Sequence, residues 1–352
     1  MRPNRLFLLY CVVTLVVGLS SALLACAAAA LEAGKKLTGL SAPDLASPAG
    51  RLAILSLGLL PWPGLVLLAR AVLKPSKPSM TIDRRPLGTA VVVLTALNEE
   101  KAVEKVVADF ASVPGIERVI LVDNGSTDRT VELGVRAGAC VVREPRRGYG
   151  FACRRALSEG LKTGCPVIIL CEADGTFSAD DVVKLMLYLT HADLVVGSRV
   201  FPYLLSGDSQ LNSFFILGNL LVAKLLQIRY WDWTLGGPVR LTDVGCTYLA
   251  IRAEGLHRIL PTLGVGGNHF VPHLLMNAIE HGLRVVQIPI TFWRRVGASK
   301  GGNASWWDGF KLGLAMVGHI LTYQANYARA EMCAEGPGSC ESPADSGKEE
   351  RG

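Results

Sequence analysis

The sequence predicts an α/β fold in which helices cover both faces of a Rossmann-like, mainly parallel sheet. Between residues 90 and 197, short and almost continuously apolar segments alternate with longer segments of helical character. Apolar strands without polar alternation are typical of parallel sheets that are buried on both faces. Half of the 352 residues are hydrophobic, which is high for a wholly soluble enzyme and indicates further apolar segments outside the sheet.

The predicted elements follow one another in the order expected for parallel connections. The predicted strands cover residues 90–95, 119–123, 140–142, 167–171 and 194–197. The predicted helices cover residues 99–111, 127–137 and 151–162, and Ser178 is expected to cap a fourth. Beyond Arg199 the alternation ends. Residues 211–228 predict either an interfacial helix or a buried core helix, whereas the aromatic residues and helical spacing of 306–323 favour a membrane-surface helix.

Two uncharged segments near the N-terminus predict transmembrane helices. Residues 6–31 carry no charged side chain and are long enough to cross ~30 Å of hydrocarbon as a helix. Residues 52–69 are also uncharged, and their Pro61-Trp62-Pro63 segment predicts a kink of the kind that membrane helices tolerate. A cleaved signal peptide is the alternative for the first segment, although its apolar region exceeds the usual ~7–15 residues.

The basic residues predict the orientation of this anchor. Arg2 and Arg5 precede the first segment, and Arg70 and Lys74 lie at the end of the second, which favours both termini in the cytoplasm. We therefore expect a multi-pass protein of the cell membrane with a cytoplasmic catalytic domain. The expected organisation is a two-helix anchor over 1–73, a linker over 74–88, the catalytic domain over 89–304, an amphipathic interfacial helix over 305–325 and a disordered tail over 326–352. The oligomeric state stays open, with a homo-oligomer among the alternatives.

Acidic residues at the end of the fourth strand predict a metal site. The segment Glu172-Ala-Asp174-Gly-Thr176 directly follows an apolar run, and ligands of such sheets bind at the carboxyl ends of the strands. Mg²⁺ and Mn²⁺ prefer carboxylate oxygens that they share with substrate phosphates. We therefore predict Mg²⁺ or Mn²⁺ on Asp174, Glu172 and Thr176, and a nucleotide-linked substrate.

Other polar residues fall at the same predicted edge. Asp123 ends the second strand, where its carboxylate could accept a hydrogen bond from a base N–H or a ribose hydroxyl. Asn98, Ser126 and Thr127 follow the first two strands, and the alternative for them is that they only cap the next helices. The glycine-rich segment around Arg147 and Gly148 could bind a phosphate, or it could be a solvated basic turn. A net charge of +6 without a basic, aromatic stripe gives no indication of nucleic-acid binding.

The order of these motifs resembles the inverting family-2 glycosyltransferases of the GT-A fold, and more narrowly the dolichyl- and polyprenyl-phosphate hexose synthases. The resemblance spans residues 90–323 and rests on A-L-N-E-E, V-D-N-G-S-T-D, R-R-G-Y-G, E-A-D-G-T, V-G-S-R and P-I-T-F-W-R-R-V-G-A-S-K. It implies that Asn98, Glu99 and Asp123 hold the nucleotide, and that Glu172, Asp174 and Thr176 hold the metal. It further implies that Asp243 lies beside the reacting centre, Arg199 lies near the acceptor, and Arg294, Arg295, Ser299 and Lys300 grip phosphates.

Four departures from the family pattern predict an unusual sugar or acceptor. Glu172 stands where the first metal position is usually Asp, and Asp243 is followed by V-G-C-T-Y rather than S-G-F-R. Gln287 replaces the usual Glu before P-I, and histidines stand where relatives often carry an acidic residue. His269 and His273 are spaced like a metal pair, but the intervening proline and the lack of a third ligand nearby argue against it.

The expected function is metal-dependent, inverting transfer of a single hexose from a nucleotide-diphosphate sugar to a polyprenyl (undecaprenyl or dolichyl) phosphate at the cytoplasmic membrane face. A polyprenyl monophosphate is already anionic at neutral pH, with a second pKa of about 6, so its difficulty is charge repulsion rather than deprotonation. A metal and arginines would neutralise that repulsion. Transfer to a hydroxyl of another membrane lipid or a cell-envelope glycan is the alternative, and would make Asp243 an obligatory base. A membrane-anchored nucleotide-sugar binding protein without catalysis is a third.

Overall fold

The computed structural model describes residues 88–209, 211, 213–230, 239–297 and 306–323. The predicted two-helix anchor and tail, and Ser299 and Lys300 of the predicted phosphate-binding segment, lie outside these residues. Apart from 228–230, which fall in a second unit, the described residues belong to one compact unit. Within the described part of the chain, no helix combines the length and the hydropathy needed to cross a membrane.

Seven strands form one mixed sheet. They are β1 (Ala90–Ala96), β2 (Ile116–Asp123), β3 (Cys140–Arg143), β4 (Val167–Glu172), β5 (Leu194–Ser198), β6 (Leu249–Arg252) and β7 (Val285–Pro289). Their spatial order is β3-β2-β1-β4-β6-β5-β7. β6 is antiparallel to β4 and β5, and the other neighbouring pairs are parallel. The mainly parallel α/β sheet expected from the sequence is confirmed, with β6 as the exception.

Eight helices accompany the sheet among the described residues. They are α1 (Val103–Ala111), α2 (Thr130–Arg136), α3 (Tyr149–Lys162), α4 (Asp181–Tyr188), α5 (Ser213–Arg229), α6 (Ala253–Ile259), α7 (Phe270–Glu280) and α8 (Trp306–Thr322). Successive strand residues point to opposite faces, and β1 is buried along its whole length. One face packs with Phe110 of α1 and Leu185 of α4, while Gly160 of α3 lies against Val93 and Ile168 on the other. The helices therefore cover both faces, as expected.

The predicted starts of α1, α2 and α4 lie two to four residues before the observed ones, and α2 begins at Thr130 rather than at residue 127. α1 begins at Val103 rather than at residue 99, because the Glu99 carbonyl accepts the N–H groups of Ala102 and Val103 in a preceding turn. α4 begins at Asp181, and its N-cap is Asp180 rather than Ser178. Ser178 instead accepts the N–H of Asp180 at 3.3 Å.

Strand register brings the predicted site residues to one edge. Ala96 at the end of β1 pairs with Asp123 at the end of β2, and Thr95 pairs with Glu172 at the end of β4. The three strands therefore end side by side. The polar residues that follow each strand are separated by 20 to 80 positions along the chain but share this rim.

The two helices of 17 residues, α5 and α8, carry apolar side chains on more than one face. In α5, Ala223 and Leu226 are fully buried, whereas Leu217 and Leu221 are 56% and 62% exposed. α5 therefore has one side in the core and another facing outward, and the interfacial alternative stays a prediction. Exposed apolar side chains also mark α8: Trp307, Phe310, Leu314 and Leu321.

The start of α3 approaches the backbone of the loop before α7 closely. The N–H of Gly150 donates to the carbonyl of Gly266 at 2.9 Å. A Cβ on Gly150 would lie 2.1 Å from the carbonyl oxygen of Val265, closer than any real contact. Gly150 therefore permits an approach that no other residue allows.

We predict that Gly150→Ala destabilises the chain by about 1–3 kcal/mol, the usual cost of overpacking. The matched control is Gly218→Ala in α5, where a Cβ would meet nothing within 4 Å; there the better helix propensity of alanine should stabilise by up to about 1 kcal/mol. Denaturation midpoints of the purified full chain measure both. Equal stabilisation by the two substitutions would contradict the close approach.

Candidate active site

A cavity of about 530 Å³ opens at the carboxyl edge of the sheet. Nine of the residues predicted from the sequence line it: Asn98, Glu99, Arg147, Gly148, Glu172, Asp174, Thr176, Arg199 and Arg295. The remaining predicted residues with described positions, Asp123, Asp243 and Arg294, are not part of its lining. The edge therefore brings together most of the predicted nucleotide, metal and phosphate ligands in one space.

Asn98 joins the loops that follow β1 and β2. Its backbone is in the left-handed region, with φ of 52°, which asparagine adopts more readily than most residues. Its N–H donates to Ser126 Oγ at 2.8 Å, and its Oδ1 accepts the N–H of Thr127 at 2.7 Å. The alternative of helix capping is therefore wrong for these three residues, since they tie two loops together and leave the following helices uncapped by their side chains.

Asp123 is buried beneath this loop pair, and its neighbour Asn124 reaches the cavity. Asp123 is 2% exposed and accepts the N–H of Ser126 at 3.0 Å. Asn124 lines the cavity, donates to the carbonyls of Glu144 and Arg146, and accepts the N–H of Gly148 at 3.1 Å. Asn124 thus holds the loop before α3 in place.

Arg147 and Gly148 stand where that loop enters α3. Gly148 has φ of 141°, in the region that favours glycine, and Arg147 is exposed at the cavity wall. The neighbouring Arg146 forms an ion pair with Glu144 at 2.8 Å, and its guanidinium lies over the ring of Phe151. Of the two arginines, Arg147 is the one available to a ligand in the cavity.

Asp174 is held by one neighbour on each oxygen. Thr176 donates to Oδ1 through its N–H at 3.0 Å and its hydroxyl at 2.6 Å, in a turn that Gly175 allows with φ of 78°. Arg295 lies 3.2 Å from Oδ2. Thr176 therefore orients Asp174, and its hydroxyl proton is engaged.

Arg295 bridges two carboxylates that the sequence assigned to different ligands. Its guanidinium pairs with Glu99, predicted to hold the nucleotide, as well as with Asp174, predicted to hold the metal. Burial lowers the pKa of Arg295, but Asp174 and Glu99 outweigh it and raise the pKa above the ordinary value. The guanidinium therefore stays charged and balances the acidic rim.

Glu172 has neutral partners instead of an arginine. Its Oε1 accepts the hydroxyl of Tyr149 at 2.7 Å and that of Thr247 at 2.6 Å. Burial and the nearby charge of Asp174 raise the pKa of Glu172, and the two hydroxyls partly offset this. Tyr149 and Thr247 also line the cavity, although sequence reasoning did not select either.

Asp243 is fully buried and paired with Arg199. Arg199 donates to it through Nε at 2.7 Å, Nη2 at 2.9 Å and its backbone N–H at 3.1 Å, and Gly245 adds a fourth N–H at 2.9 Å. Burial raises the pKa of Asp243, but Arg199 outweighs it and holds the pKa below the usual value. Asp243 therefore positions Arg199, which is one of the residues that line the cavity.

Gln287 explains one departure from the family pattern. Its amide nitrogen donates to the carbonyls of Asp243 and Gly197, while its oxygen accepts from the N–H and hydroxyl of Thr242. An ionised glutamate could accept but not donate. The amide thus fixes the backbone that carries Asp243.

The remaining predicted cations and histidines lie elsewhere. Arg294 is exposed and 3.5 Å from Asp208. His273 bonds to His319 Nε2 and to the Thr262 carbonyl, both at 3.1 Å, and burial lowers its pKa to about 4. These contacts join α7 to α8 and place a third histidine, His319, beside His273, so the argument that no third ligand lies near His269 and His273 stays a prediction.

The acidic rim suits a divalent ion that is completed by its substrate. No group of three or more His, Cys, Asp or Glu side chains in the described segments could hold a metal unaided. Asp174 and Glu172 nevertheless supply hard oxygens, and Arg295 already places a positive charge against Asp174. Mg²⁺ and Mn²⁺ commonly use one or two carboxylates together with substrate phosphates, so the donor set fits.

Comparison with known proteins places the chain among glycosyltransferases. The family model Glycosyl transferase family 2 matches residues 91–240. An uncharacterized glycosyltransferase of Mycobacterium tuberculosis is 43% identical over 229 residues, which cover 60% of this chain and 88% of that protein. Polyprenol monophosphomannose synthase of Mycolicibacterium smegmatis is 29% identical, with 61% and 82% covered. Dolichyl-phosphate hexose transferase of Haloferax volcanii is 29% identical, with 59% and 85% covered.

A solved structure with a similar arrangement of elements is glucosyl-3-phosphoglycerate synthase from Mycobacterium tuberculosis. In its complex with phosphoglyceric acid it is 21% identical to this chain. The match covers 71% of this chain and 88% of that one, with a TM-score of 0.49.

We predict that Asp243→Ala costs about 3–5 kcal/mol of stability, because it leaves the buried guanidinium of Arg199 without its partner. The double variant Asp243→Ala/Arg199→Met should recover much of the loss.

Since the folded pKa of Asp243 is depressed, the stabilisation by this ion pair is fully present above the unfolded pKa of about 3.9 and is lost as pH falls through the folded value. Denaturation at several pH values tests this; a double variant as unstable as the single one would contradict it.

We predict that Arg295→Gln tightens Mn²⁺ binding in the absence of nucleotide by about five- to tenfold, because it removes a cation that competes for Asp174. Calorimetric titration of Mn²⁺ alone into the full chain measures the change. Arg294→Gln is the matched control, and its exposed charge should alter the affinity by less than about twofold. Weaker Mn²⁺ binding by Arg295→Gln would show that the arginine does not compete with the ion.

Proposed function

This chain belongs to glycosyltransferase family 2, and on that basis we propose that it transfers a single hexose, with inversion, from a nucleotide-diphosphate sugar to a polyprenyl phosphate. The reaction is metal-dependent and takes place at the cytoplasmic face of the membrane. Transfer to a hydroxyl of another membrane lipid or of a cell-envelope glycan is the alternative. The two differ in whether the acceptor needs a base.

The burial and ion pairing of Asp243 distinguish between these two acceptors. A hydroxyl acceptor requires a general base, and Asp243 is the residue that the motif assigns to the reacting centre. Its oxygens accept four hydrogen bonds, it is 0% exposed, and Arg199 lowers its pKa. A carboxylate so neutralised is a poor base. A phosphate acceptor, already anionic at neutral pH, requires none.

The arginines of the cavity suit two phosphate-bearing substrates. Arg147, Arg199 and Arg295 line it, and each offers a planar fork of donors that matches phosphate oxygens. Arg147 and Gly148 at the start of α3 are suited to the donor diphosphate. Arg199 lies against Phe292, with its guanidinium carbon 5.4 Å from the ring centre, and is suited to the acceptor phosphate.

Apolar residues beside these arginines support a lipid acceptor. Leu211, Phe292, Leu312 and Met316 share the cavity wall with Arg199 and Arg295. The outward-facing apolar side chains of α5 and α8 support contact with a membrane surface, where such a lipid would be presented. The relatives named for polyprenol and dolichyl phosphate acceptors support the same class.

Asp174 is the residue that would hold a divalent ion, and Glu172 lies at the same rim. When bound, Mg²⁺ or Mn²⁺ would neutralise the diphosphate leaving group. Thr176 keeps Asp174 oriented for this. Arg295 would then keep its pairing with Glu99, and the side now beside Asp174 could face a phosphate.

The test is transfer of labelled sugar from common nucleotide sugars to undecaprenyl and dolichyl phosphates by the full chain with Mn²⁺ or Mg²⁺. We expect an organic-extractable product that mild acid releases, because a sugar 1-phosphodiester hydrolyses readily. Asp174→Asn should lower the rate at least about 100-fold, whereas Asp109→Asn, at a half-exposed position of α1, should not. An acid-stable product would favour the hydroxyl acceptor, and failure with every donor and lipid would refute the proposal.

A further inference from the structure

Tyr149, Glu172 and Thr247 form a hydrogen-bonded cluster in the cavity wall. Tyr149 is the first residue of α3, Glu172 is the last of β4, and Thr247 precedes β6. The hydroxyls of Tyr149 and Thr247 both reach Glu172 Oε1, at 2.7 and 2.6 Å, and contact each other. Three separate elements therefore converge on one carboxylate oxygen.

Both hydroxyls of this cluster donate to the Glu172 carboxylate. A carboxylate only accepts, and each hydroxyl has a single proton, so Tyr149 and Thr247 both donate to Oε1. What the cluster can offer a ligand is acceptor capacity alone: Glu172 Oε2 and the remaining lone pairs of the two hydroxyl oxygens. Sugar hydroxyls are donors that match it.

The two carboxylates of the E-A-D-G-T segment are balanced in different ways. Asp174 has the guanidinium of Arg295 3.2 Å away, so exchange of one cation for another leaves its charge compensated. Among the described residues, no ion pair involves Glu172, whose partners are neutral hydroxyls. The cationic position at this rim therefore lies beside Asp174 and Glu99, not beside Glu172.

We propose that Glu172, held by Tyr149 and Thr247, binds hydroxyl groups of the transferred hexose, and that the divalent ion rests on Asp174 without it. The inference builds on the proposed function, since it assigns a residue of the same site to the donor sugar. Tyr149 and Thr247 are positioning residues that act through Glu172.

Two departures from the family pattern then become one coupled change. Residue 172 is Glu rather than Asp, and residue 247 is Thr rather than the Arg of S-G-F-R; the two side chains are hydrogen-bonded at 2.6 Å. Aspartate at 172 would be shorter by one C–C bond, about 1.5 Å, and would not reach Thr247. A longer carboxylate and a shorter partner thus compensate each other.

The test separates sugar recognition from metal binding in the full chain with Mn²⁺. Calorimetry measures affinities for UDP and GDP and for UDP-glucose and GDP-mannose, in wild type and in Glu172→Gln. We expect Glu172→Gln to weaken sugar-nucleotide binding about 10- to 100-fold, the value of a hydrogen bond to a charged group, and to leave Mn²⁺-dependent binding of the nucleoside diphosphate within about threefold. Asp174→Asn, the matched control, should abolish the Mn²⁺ dependence itself.

The positioning role is tested at Thr247. Thr247→Val removes the hydroxyl at nearly constant shape and should raise KM for the sugar nucleotide about 5- to 10-fold, whereas Thr247→Ser should restore it. Tyr149→Phe provides a second hydroxyl deletion if Thr247→Val fails to fold, and denaturation midpoints establish folding for each variant.

Each contrary outcome has a distinct meaning. If Glu172→Gln abolishes the Mn²⁺ dependence as Asp174→Asn does, Glu172 is a metal ligand and the inference is wrong. If Glu172→Gln weakens the binding of UDP and of UDP-glucose equally, Glu172 does not contact the sugar, and the inference is again wrong. If wild type binds no nucleotide with Mn²⁺, the proposed function itself fails and the inference falls with it.

Discussion

Charge compensation by Arg199 and Arg295 is the constraint on which the carboxyl edge of the sheet depends. Glu99 and Asp174 share Arg295, and Asp243 is held by Arg199. A buried carboxylate without partners is costly, because the protein interior cannot replace water. Both arginines are among the residues that line the cavity, so an incoming phosphate would meet the residues that stabilise this edge. The same two arginines therefore contribute to the stability of this edge and to ligand binding.

The sequence predicted the strands whose burial shows in local composition, and missed those defined by distant partners. β1 to β5 are apolar runs, and each was placed to within a few residues. β6 has only four residues and pairs antiparallel with β4 and β5, while β7 contains Gln287. No local periodicity marks either strand, because their place in the sheet is decided by neighbours far along the chain.

The site was predicted where a motif lies at a strand end, and less well where a side chain's role depends on its partners. Asn98, Glu99, Glu172 and Asp174 all reach the cavity as expected. The sequence could not show that Asp243 is covered by Arg199, because that pairing joins residues 44 positions apart. Tyr149 and Thr247 stand 98 positions apart; the only hint was that residues 172 and 247 both depart from the family pattern.

Arg199 can serve Asp243 and an acceptor phosphate together. A guanidinium has five N–H donors, and Asp243 takes two of them, one from Nε and one from Nη2. Three are left for a ligand in the cavity. For Asp243 to act on a hydroxyl, Arg199 would have to withdraw and leave the buried carboxylate with backbone donors alone, at a cost of several kcal/mol. A phosphate approaching the free side of Arg199 keeps the ion pair intact and incurs no such cost. The geometry therefore favours an acceptor that arrives already charged.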